Sequence, residues 1–213
     1  ARGDQCDSCG SLLDPSDLAD QRCKLCGHKP GLRQTKHLFF KLSHFQKDIQ
    51  ELAEEKETHW RINAREATRR YLKEGLLDRA ISRDIDWGIP IPIEDYEGKR
   101  VYVWFEAVLG YLTTSRRWAQ ETGRPEAWKD FWSKDATSYY IHGKDNIPFH
   151  TVILPGLLLA IDRNFNLPDR VISSEFLTIE GKKLSTSKNW AVWIPDFLDN
   201  YPADSLRYFL TVN

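Results

Sequence analysis

Two stretches in the first hundred residues have apolar positions at helical spacing. Residues 44–57 and 60–75 are predicted helices, with Ser43 as the N-terminal cap of the first and Gly75 at the end of the second. The second predicted helix has a loose apolar face, which comprises Ile62, Ala64, Ala67, Tyr71 and Leu72. Prolines and glycines recur through residues 84–99, so this segment is expected to be extended rather than helical.

After residue 100, short apolar runs alternate with helical patterns, an order that is typical of an α/β sheet layer. The apolar runs predict buried parallel strands at residues 101–105, 139–142 and 171–173. The helical patterns predict helices at residues 107–120, 149–161 and 203–210. Pro155 is expected to kink or interrupt the middle helix, because proline cannot donate a backbone hydrogen bond.

The composition excludes several classes of protein. The 30 basic and 31 acidic side chains do not suit a protein that coats nucleic acid, although local basic patches remain possible. No apolar run reaches the roughly 18 residues of a membrane span, and no signal peptide is recognisable. The chain contains no methionine, so we expect it to be an internal piece of a longer protein.

Four cysteines occur as two closely spaced pairs, Cys6 with Cys9 and Cys23 with Cys26, and each pair is followed by glycine. Two Cys-x2-Cys knuckles typically supply the four thiolates of a tetrahedral zinc site. Such a site is structural, because no coordination position stays open for a substrate. The alternative is a pair of disulfides in a secreted protein, which the paired spacing disfavours. An upstream cysteine pair in a longer protein would be another partner for either knuckle.

The segment from Lys182 to Lys188 concentrates lysines and hydroxyl side chains on a short loop after a Glu180-Gly181 turn. Lysine supplies compact positive charge, while hydroxyls and backbone N–H groups donate hydrogen bonds to phosphate oxygens. The loop is therefore a candidate polyphosphate site. The alternative interpretation is a basic hairpin that is simply solvated.

Polar and aromatic side chains follow two of the predicted strands, at the edge where an open parallel sheet binds ligands. Trp104 lies at the end of the first strand and Tyr111 on the helix after it, and Asp145 and His150 follow the second strand. Asp145 either accepts a hydrogen bond from a ribose hydroxyl or caps the next helix. For His150, as for the two aromatic residues, the alternative to ligand binding is packing in the core.

Taken in order, these motifs resemble those of the methionyl-tRNA synthetases, a family of class I aminoacyl-tRNA synthetases. The matching segments cover essentially the whole chain: GDQCDSCG at 3–10, CKLCG at 23–27, ISRDIDWGIP at 81–90, YVWFEAVLGY at 102–111, IHGKDNIPFH at 141–150, GKKLSTSKNW at 181–190 and ADSLRYFL at 203–210. The resemblance is greatest to the archaeal and eukaryotic-like branch. It implies an α/β fold with three parts: the zinc-ribbon part of a connective insertion at 1–35, a helical and extended connection at 36–99, and the second half of a Rossmann catalytic domain at 100–213.

The resemblance also implies the residues of an active site. The methionine pocket would comprise Val103, Trp104, Ala107, Val108, Tyr111, Asn146 and His150. Val108 differs from the proline that is common at its position in the family. Gly143 and Asp145 would contact the ribose of ATP, and Leu177 would contact the adenine through its backbone. Arg83 would lie near the reacting carboxylate and phosphate.

Residues Lys183 to Ser187, followed by Lys188, would be this chain's version of the family's KMSKS loop. Its catalytic residues would be Lys183, Ser185, Thr186, Ser187 and Lys188, and Lys183 would also bind ATP. The loop would stabilise pyrophosphate electrostatically while the methionine carboxylate attacks the α-phosphate, with Mg²⁺ bound to the ATP. Thr186 stands where the family usually has a second lysine, and Lys188 is the cation that would reach the phosphates instead.

The implied function is ATP-dependent activation of L-methionine to methionyl-adenylate and transfer to tRNA(Met) in the cytoplasm, with structural Zn²⁺. The family's HIGH motif is absent from these 213 residues, which predicts a fragment that is inactive without the N-terminal half of the catalytic domain. One alternative is a non-catalytic, zinc-containing module that binds tRNA or another partner. Another is a paralogue that activates an amino acid for a different acceptor. A HIGH motif in the full-length gene would favour the enzyme over the module.

Overall fold

The structure is a computed structural model that describes residues 18–23, 26–31, 33–186 and 189–212. The chain divides into two compact units, Ala1–Ser173 and Ser174–Asn213. The first unit has the helices α1 (Gln46–Glu55), α2 (Ile62–Glu74), α3 (Val103–Glu121) and α4 (Leu154–Ile161). Its strands are β1 (Phe39–Phe40), β2 (Arg79–Ala80), β3 (Ser82–Arg83), β4 (Arg100–Val101), β5 (Tyr139–Gly143) and β6 (Arg170–Ser174), the last ending at the boundary. The second unit has β7 (Thr178–Ile179), β8 (Lys182–Lys183), α5 (Ile194–Leu198) and α6 (Ala203–Val212).

The strands of the first unit pair two at a time within the described residues. β1 with β2 and β3 with β4 are antiparallel, and β5 lies beside β6. An isolated parallel bridge joins Trp60 to Val171, next to a hydrogen bond from the Arg61 N–H to the Val171 carbonyl at 3.0 Å. The predicted mixture of helices and strands is confirmed, including strands at 139–142 and 171–173 and a non-helical segment at 84–99.

The first two predicted helices are confirmed as α1 and α2, but the predicted cap is wrong. Ser43 lies inside a 3-10 turn, Leu42–Phe45, that precedes α1. Its backbone N–H and its hydroxyl both donate to the Asp78 carboxylate, at 3.1 and 2.6 Å. A carboxylate 35 residues away thus accepts a hydrogen bond from a free N–H group at the start of the helical segment. Its negative charge also stabilises the positive end of the backbone dipoles.

The core-facing side of α2 also differs from the prediction. Ile62 is 64% exposed, whereas Ala64 and Thr68 are fully buried. The Thr68 hydroxyl lies 2.8 Å from that of Thr151, which donates to the Ile147 carbonyl, so this polar pair is satisfied inside the core. Gly75 ends α2 with φ +85°, as expected for a glycine at this position.

The predicted strand at 101–105 is wrong beyond Val101, because α3 begins at Val103. Its buried residues are Phe105, Val108, Leu112 and Ala119, which are three, four and seven positions apart. This spacing places them on one helical face. A five-residue apolar run is too short to show whether its period is that of a strand or of a helix.

The main core lies where α3 packs against α4 and the segment before it. A π-helical turn, Phe149–Ile153, leads directly into α4, whose second residue is Pro155. The predicted interruption is therefore confirmed: Pro155 has no N–H to donate, and the regular α-helix begins only beside it. This turn buries His150, Thr151, Val152 and Ile153. The turn therefore holds His150 against α3.

Among the described residues, no helix is long and apolar enough to cross a membrane.

Candidate active site

One face of α3 remains exposed and contains most of the predicted methionine pocket. Val103, Trp104 and Tyr111 are 42%, 40% and 47% exposed, and Ala107 is exposed between them. Residues at this spacing share a face of a helix. Val108 is placed on the opposite face, 3% exposed and packed in the core. It can therefore shape the pocket only by supporting α3 from behind.

Trp104 forms an aromatic stack with Phe149, the residue before His150. Their ring centroids lie 4.5 Å apart and the planes differ by 18°. Two large apolar rings that stay partly accessible at the end of a helix form a surface on which a flexible apolar side chain can pack. Phe149 is not among the predicted pocket residues, although it adjoins one of them, His150.

His150 is held by a complete set of hydrogen bonds. Its Nδ1 lies 2.9 Å from the Asn146 carbonyl oxygen, and its Nε2 lies 3.0 Å from the Tyr111 hydroxyl. Because the carbonyl can only accept, Nδ1 bears the proton in the neutral ring, and Nε2 accepts from the Tyr111 O–H. His150 thereby fixes the direction of the tyrosine O–H, and the lone pairs of the hydroxyl oxygen stay available to accept hydrogen bonds.

Burial keeps His150 neutral. The ring is 5% exposed, and this burial lowers the pKa of His150 to about 4, with the Asn146 carbonyl opposing the shift and nearby His142 adding to it. Tyr140 and His142 pack on the ring, with centroids 5.5 and 4.3 Å from it. Burial also raises the pKa of Tyr140. His150 and the Tyr140 and His142 rings that pack on it are therefore uncharged at neutral pH.

Tyr111 also borders a cavity of about 190 Å³. Its lining residues are Tyr111, Ser115, Phe131, Trp132, Ser138, Tyr140 and Asn166. Tyr111 and Tyr140 thus separate this cavity from His150. Apart from Tyr111, none of the lining residues was predicted as a site residue.

The predicted ribose contacts lie on a tight turn after β5. Asp145 lies inside a 3-10 turn, Lys144–Asn146, and the next helical segment has Pro148 at its N-cap position with no side-chain capping bond, so the capping interpretation of Asp145 is not supported. A Cβ atom built on Gly143 would lie 2.8 Å from Asp145 Oδ1, closer than real Cβ contacts. Glycine is therefore required at 143 if the exposed Asp145 carboxylate is to hold this position.

Arg83 lies on the β3–β4 pair, with its guanidinium 3.6 Å from the centre of the Tyr102 ring. It also donates to the carbonyls of Ala80 and Ser82 at 2.8 and 2.9 Å. Tyr102 immediately precedes α3, so this stack positions a cation beside the start of the helix that contains the aromatic face.

The second unit contains the predicted loop on a β-hairpin. β7 and β8 are antiparallel, and the turn residues Glu180 and Gly181 have φ +52° and +73°, as in a type I′ turn. The Leu184 N–H donates to the Leu177 carbonyl at 3.1 Å. Lys183 extends its ammonium over the Phe176 ring, 3.2 Å from the centre.

A second closure follows the hairpin. Ser185 and Trp190 exchange backbone hydrogen bonds of 2.8 and 3.0 Å, and Asn189 donates to the Thr186 carbonyl at 3.0 Å. Lys183 and Thr186 are exposed. Ser187 and Lys188 lie outside the described residues.

Of the four predicted zinc ligands, Cys6 and Cys9 lie outside the described residues. Cys23 and Cys26 lie on a tight turn in which the Gly27 N–H donates to the Cys23 carbonyl at 2.8 Å. The Cys23 N–H donates to the His28 carbonyl, also at 2.8 Å, and Gly27 has φ +72°. This turn is compatible with one knuckle of the predicted site. The described part of the chain contains no group of three or more His, Cys, Asp or Glu residues that could hold a metal.

Comparison with known proteins decides the family. The family model for class I tRNA synthetases (M) matches residues 1–213. The chain belongs to this class I synthetase family. Methionine--tRNA ligase 1 of Alkaliphilus oremlandii is 58% identical over 213 residues, and methionine--tRNA ligase of Bacillus cereus is 55% identical over 216 residues. These matches cover all of this chain and 39% of each relative.

The fold agrees with that of a synthetase of known structure. Methionyl-tRNA synthetase of Mycobacterium tuberculosis, bound by methionyl-adenylate, superposes with a TM-score of 0.71 at 25% identity. The match covers 93% of this chain and 38% of that one. The resemblance to the synthetase family is thus confirmed, whereas its archaeal and eukaryotic-like branch is not supported, since these relatives are bacterial.

Proposed function

We propose that the chain is part of an enzyme that activates L-methionine with ATP to methionyl-adenylate and transfers it to tRNA(Met). The observation that supports this most strongly is a pair of aromatic contacts beside the exposed face of α3: Trp104 stacks on Phe149, and the Tyr111 hydroxyl donates to neutral His150. The partners come from two segments of the chain, and the face of α3 that carries Trp104 and Tyr111 stays partly accessible. The relatives are methionine--tRNA ligases by name, and the chain spans 39% of their length.

In this proposal the methionine side chain packs against the exposed face of α3. Its thioether contacts Trp104 and Phe149, because sulfur packs favourably against rings. The oxygen of the Tyr111 hydroxyl lies at the end of the pocket, oriented by neutral His150. Val103, Ala107 and Asn146 complete the wall, and Val108 supports α3 from the core.

The adenosine of ATP is proposed to lie over the turn after β5. The exposed Asp145 carboxylate accepts hydrogen bonds from ribose hydroxyls, and Gly143 leaves room for close approach. The adenine contact assigned to the backbone of Leu177 belongs to the second unit and rests on the sequence resemblance alone. Arg83 stabilises the reacting carboxylate and phosphate with a charge that the Tyr102 ring holds in place.

The proposed chemistry is electrostatic. The loop residues Lys183, Ser185, Thr186, Ser187 and Lys188 stabilise the pyrophosphate leaving group, and Mg²⁺ accompanies the ATP. Exposed Lys183 supplies positive charge, and Thr186 supplies a hydroxyl where the family usually has lysine. Since the HIGH motif is absent from these residues, we propose that an N-terminal half of the catalytic domain completes the ATP site.

The remaining parts of the proposal concern domains and location. Residues 1–35 would form the zinc-ribbon part of the connective insertion, 36–99 the connection, and 100–213 the second catalytic half. The Cys23–Cys26 turn fits a structural Zn²⁺ knuckle, and its completion would require Cys6 and Cys9. The enzyme would act in the cytoplasm, where tRNA is charged. Native mass spectrometry should find one zinc per chain, and Cys23→Ser should lose it.

The experiment that tests the function is ATP–pyrophosphate exchange by the gene product that contains this chain, with each amino acid in turn. Exchange is expected with methionine only, and Lys183→Ala should reduce kcat by about a hundredfold or more. Lys47→Ala, at an exposed position on α1, is the matched control. Binding of tRNA without exchange for any amino acid would support the non-catalytic module instead, and exchange with a different amino acid would overturn methionine as the substrate.

A further inference from the structure

β5 directs two side chains toward the methionine pocket. Tyr140 and His142 are two positions apart, so they project from the same face of the strand. The His142 ring stacks on the His150 ring with centroids 4.3 Å apart and planes 18° apart. His142 is not among the predicted methionine or ATP contacts.

Both stacked imidazoles hold the backbone of the same turn. His142 Nδ1 lies 2.9 Å from the Gly143 carbonyl oxygen, and His150 Nδ1 lies 2.9 Å from the Asn146 carbonyl oxygen. Carbonyls only accept, so both rings donate from Nδ1. The turn between these carbonyls is the one that presents Asp145. Its two ends are therefore tied to two rings that are themselves in contact.

We infer that His142 is a positioning residue, which together with His150 clamps the Gly143–Asn146 turn and so couples the methionine subsite to the ribose subsite. The inference rests on the proposed function. Methionine that fills the space beside Tyr111 restrains His150, the stack transmits this restraint to His142, and the turn then holds Asp145 ready for the ribose. The coupling runs through direct contacts throughout.

The protonation of His142 agrees with this role. Burial lowers the pKa of His142, although the Gly143 carbonyl and the Asp145 carboxylate oppose this shift. Two neutral rings can stack closely without charge repulsion. In this tautomer the buried Nε2 of His142 is an acceptor, and it has no hydrogen-bond partner among the described residues. A carbon at that position should therefore be well tolerated by the fold.

Two substitutions separate the two contacts of His142. His142→Phe keeps a flat ring against His150 but cannot donate to Gly143. His142→Asn keeps a donor near the position of Nδ1 but loses the stack. The same two substitutions at His59, an exposed histidine in the turn after α1, are the matched controls.

The experiment is methionine-dependent ATP–pyrophosphate exchange by the gene product that contains this chain. His142→Phe is expected to raise the KM for ATP by about fivefold, the effect of one lost neutral hydrogen bond, with less change in the KM for methionine. His142→Asn is expected to raise the KM for methionine more than that for ATP. Both should weaken the dependence of the methionine KM on ATP concentration.

Four outcomes decide the matter. The expected split of KM values supports the clamp. KM values in both variants that equal those of the His59 controls overturn the clamp alone. An absence of exchange in the wild-type protein overturns the proposed function and the clamp with it. Should either variant fail to fold, ¹⁵N spectra of the wild-type imidazoles still decide: protonation of both at Nδ1 supports the clamp, and protonation of His142 at Nε2 overturns it.

Discussion

Acidification should destabilise the chain through His150. Its pKa is about 4 in the folded protein and about 6.5 in the unfolded chain. Between these values the unfolded state binds a proton that the folded state does not, so stability rises with pH across this window. The stabilisation is complete above about pH 6.5 and is lost as the pH falls toward 4.

The size of the effect follows from the shift. Over the full window the free energy of unfolding should fall by about 3 kcal/mol, and about 2 kcal/mol of this fall should occur between pH 7 and pH 5. This loss is a substantial fraction of the total stability of a typical domain, and the burial of one histidine accounts for it.

The assay is urea unfolding at pH 7 and pH 5, followed by tryptophan fluorescence, for the wild-type chain and His150→Phe. Other groups titrate in both proteins, so the informative quantity is the difference between their pH dependences. The variant should lose about 2 kcal/mol less than the wild type on acidification, whatever its stability at pH 7. His59→Phe reports the general effect of replacing a histidine by phenylalanine. Parallel losses in wild type and His150→Phe would refute the assignment of a buried, neutral His150.

Two glycine substitutions test the packing of the site. Gly156→Ala should destabilise the chain by about 1–3 kcal/mol in urea unfolding, because the new Cβ would lie 3.0 Å from Leu42 Cδ1. Gly110→Ala in α3 is the control: its new Cβ would have no neighbouring atom within 4 Å, so the substitution should be neutral or stabilising. Equal effects would contradict this account of the core. Gly143→Ala should raise the KM for ATP by about tenfold in the exchange assay, since its Cβ displaces the Asp145 carboxylate; an unchanged KM would remove Asp145 from the ribose site.

The sequence predicts the helices of this chain better than the contacts among them. Periodicity located α1, α2 and α6, and Pro155 marked the interruption before α4. Periodicity could not decide whether Val103–Phe105 is a strand or a helix, because a short apolar run fits both equally well. The Ser43–Asp78 pair joins residues 35 positions apart, and nothing local signals it.

In the candidate site too, the sequence predicts individual residues better than the contacts between them. Family motifs identified Trp104, Tyr111 and His150, and the structure places the first two on one face of α3 and His150 against Tyr111. The hydrogen bond between Tyr111 and His150 spans 39 positions, so residue patterns alone could not have revealed it. In the sequence, His142 stands at the end of the predicted strand at 139–142, two positions after Tyr140, and inside the family motif at 141–150. Its contacts with His150 and with Gly143 depend on the turn geometry that the structure supplies.

The most direct test of the central claim is the KM for methionine of Trp104→Ala in the exchange reaction. The aromatic face of α3, which carries Trp104 and Tyr111, is proposed to bind the methionine side chain. Loss of the ring that stacks on Phe149 should raise the KM for methionine by about tenfold or more, with less than about a twofold change in the KM for ATP. An unchanged methionine KM, or an increase confined to ATP, would show that methionine binds elsewhere.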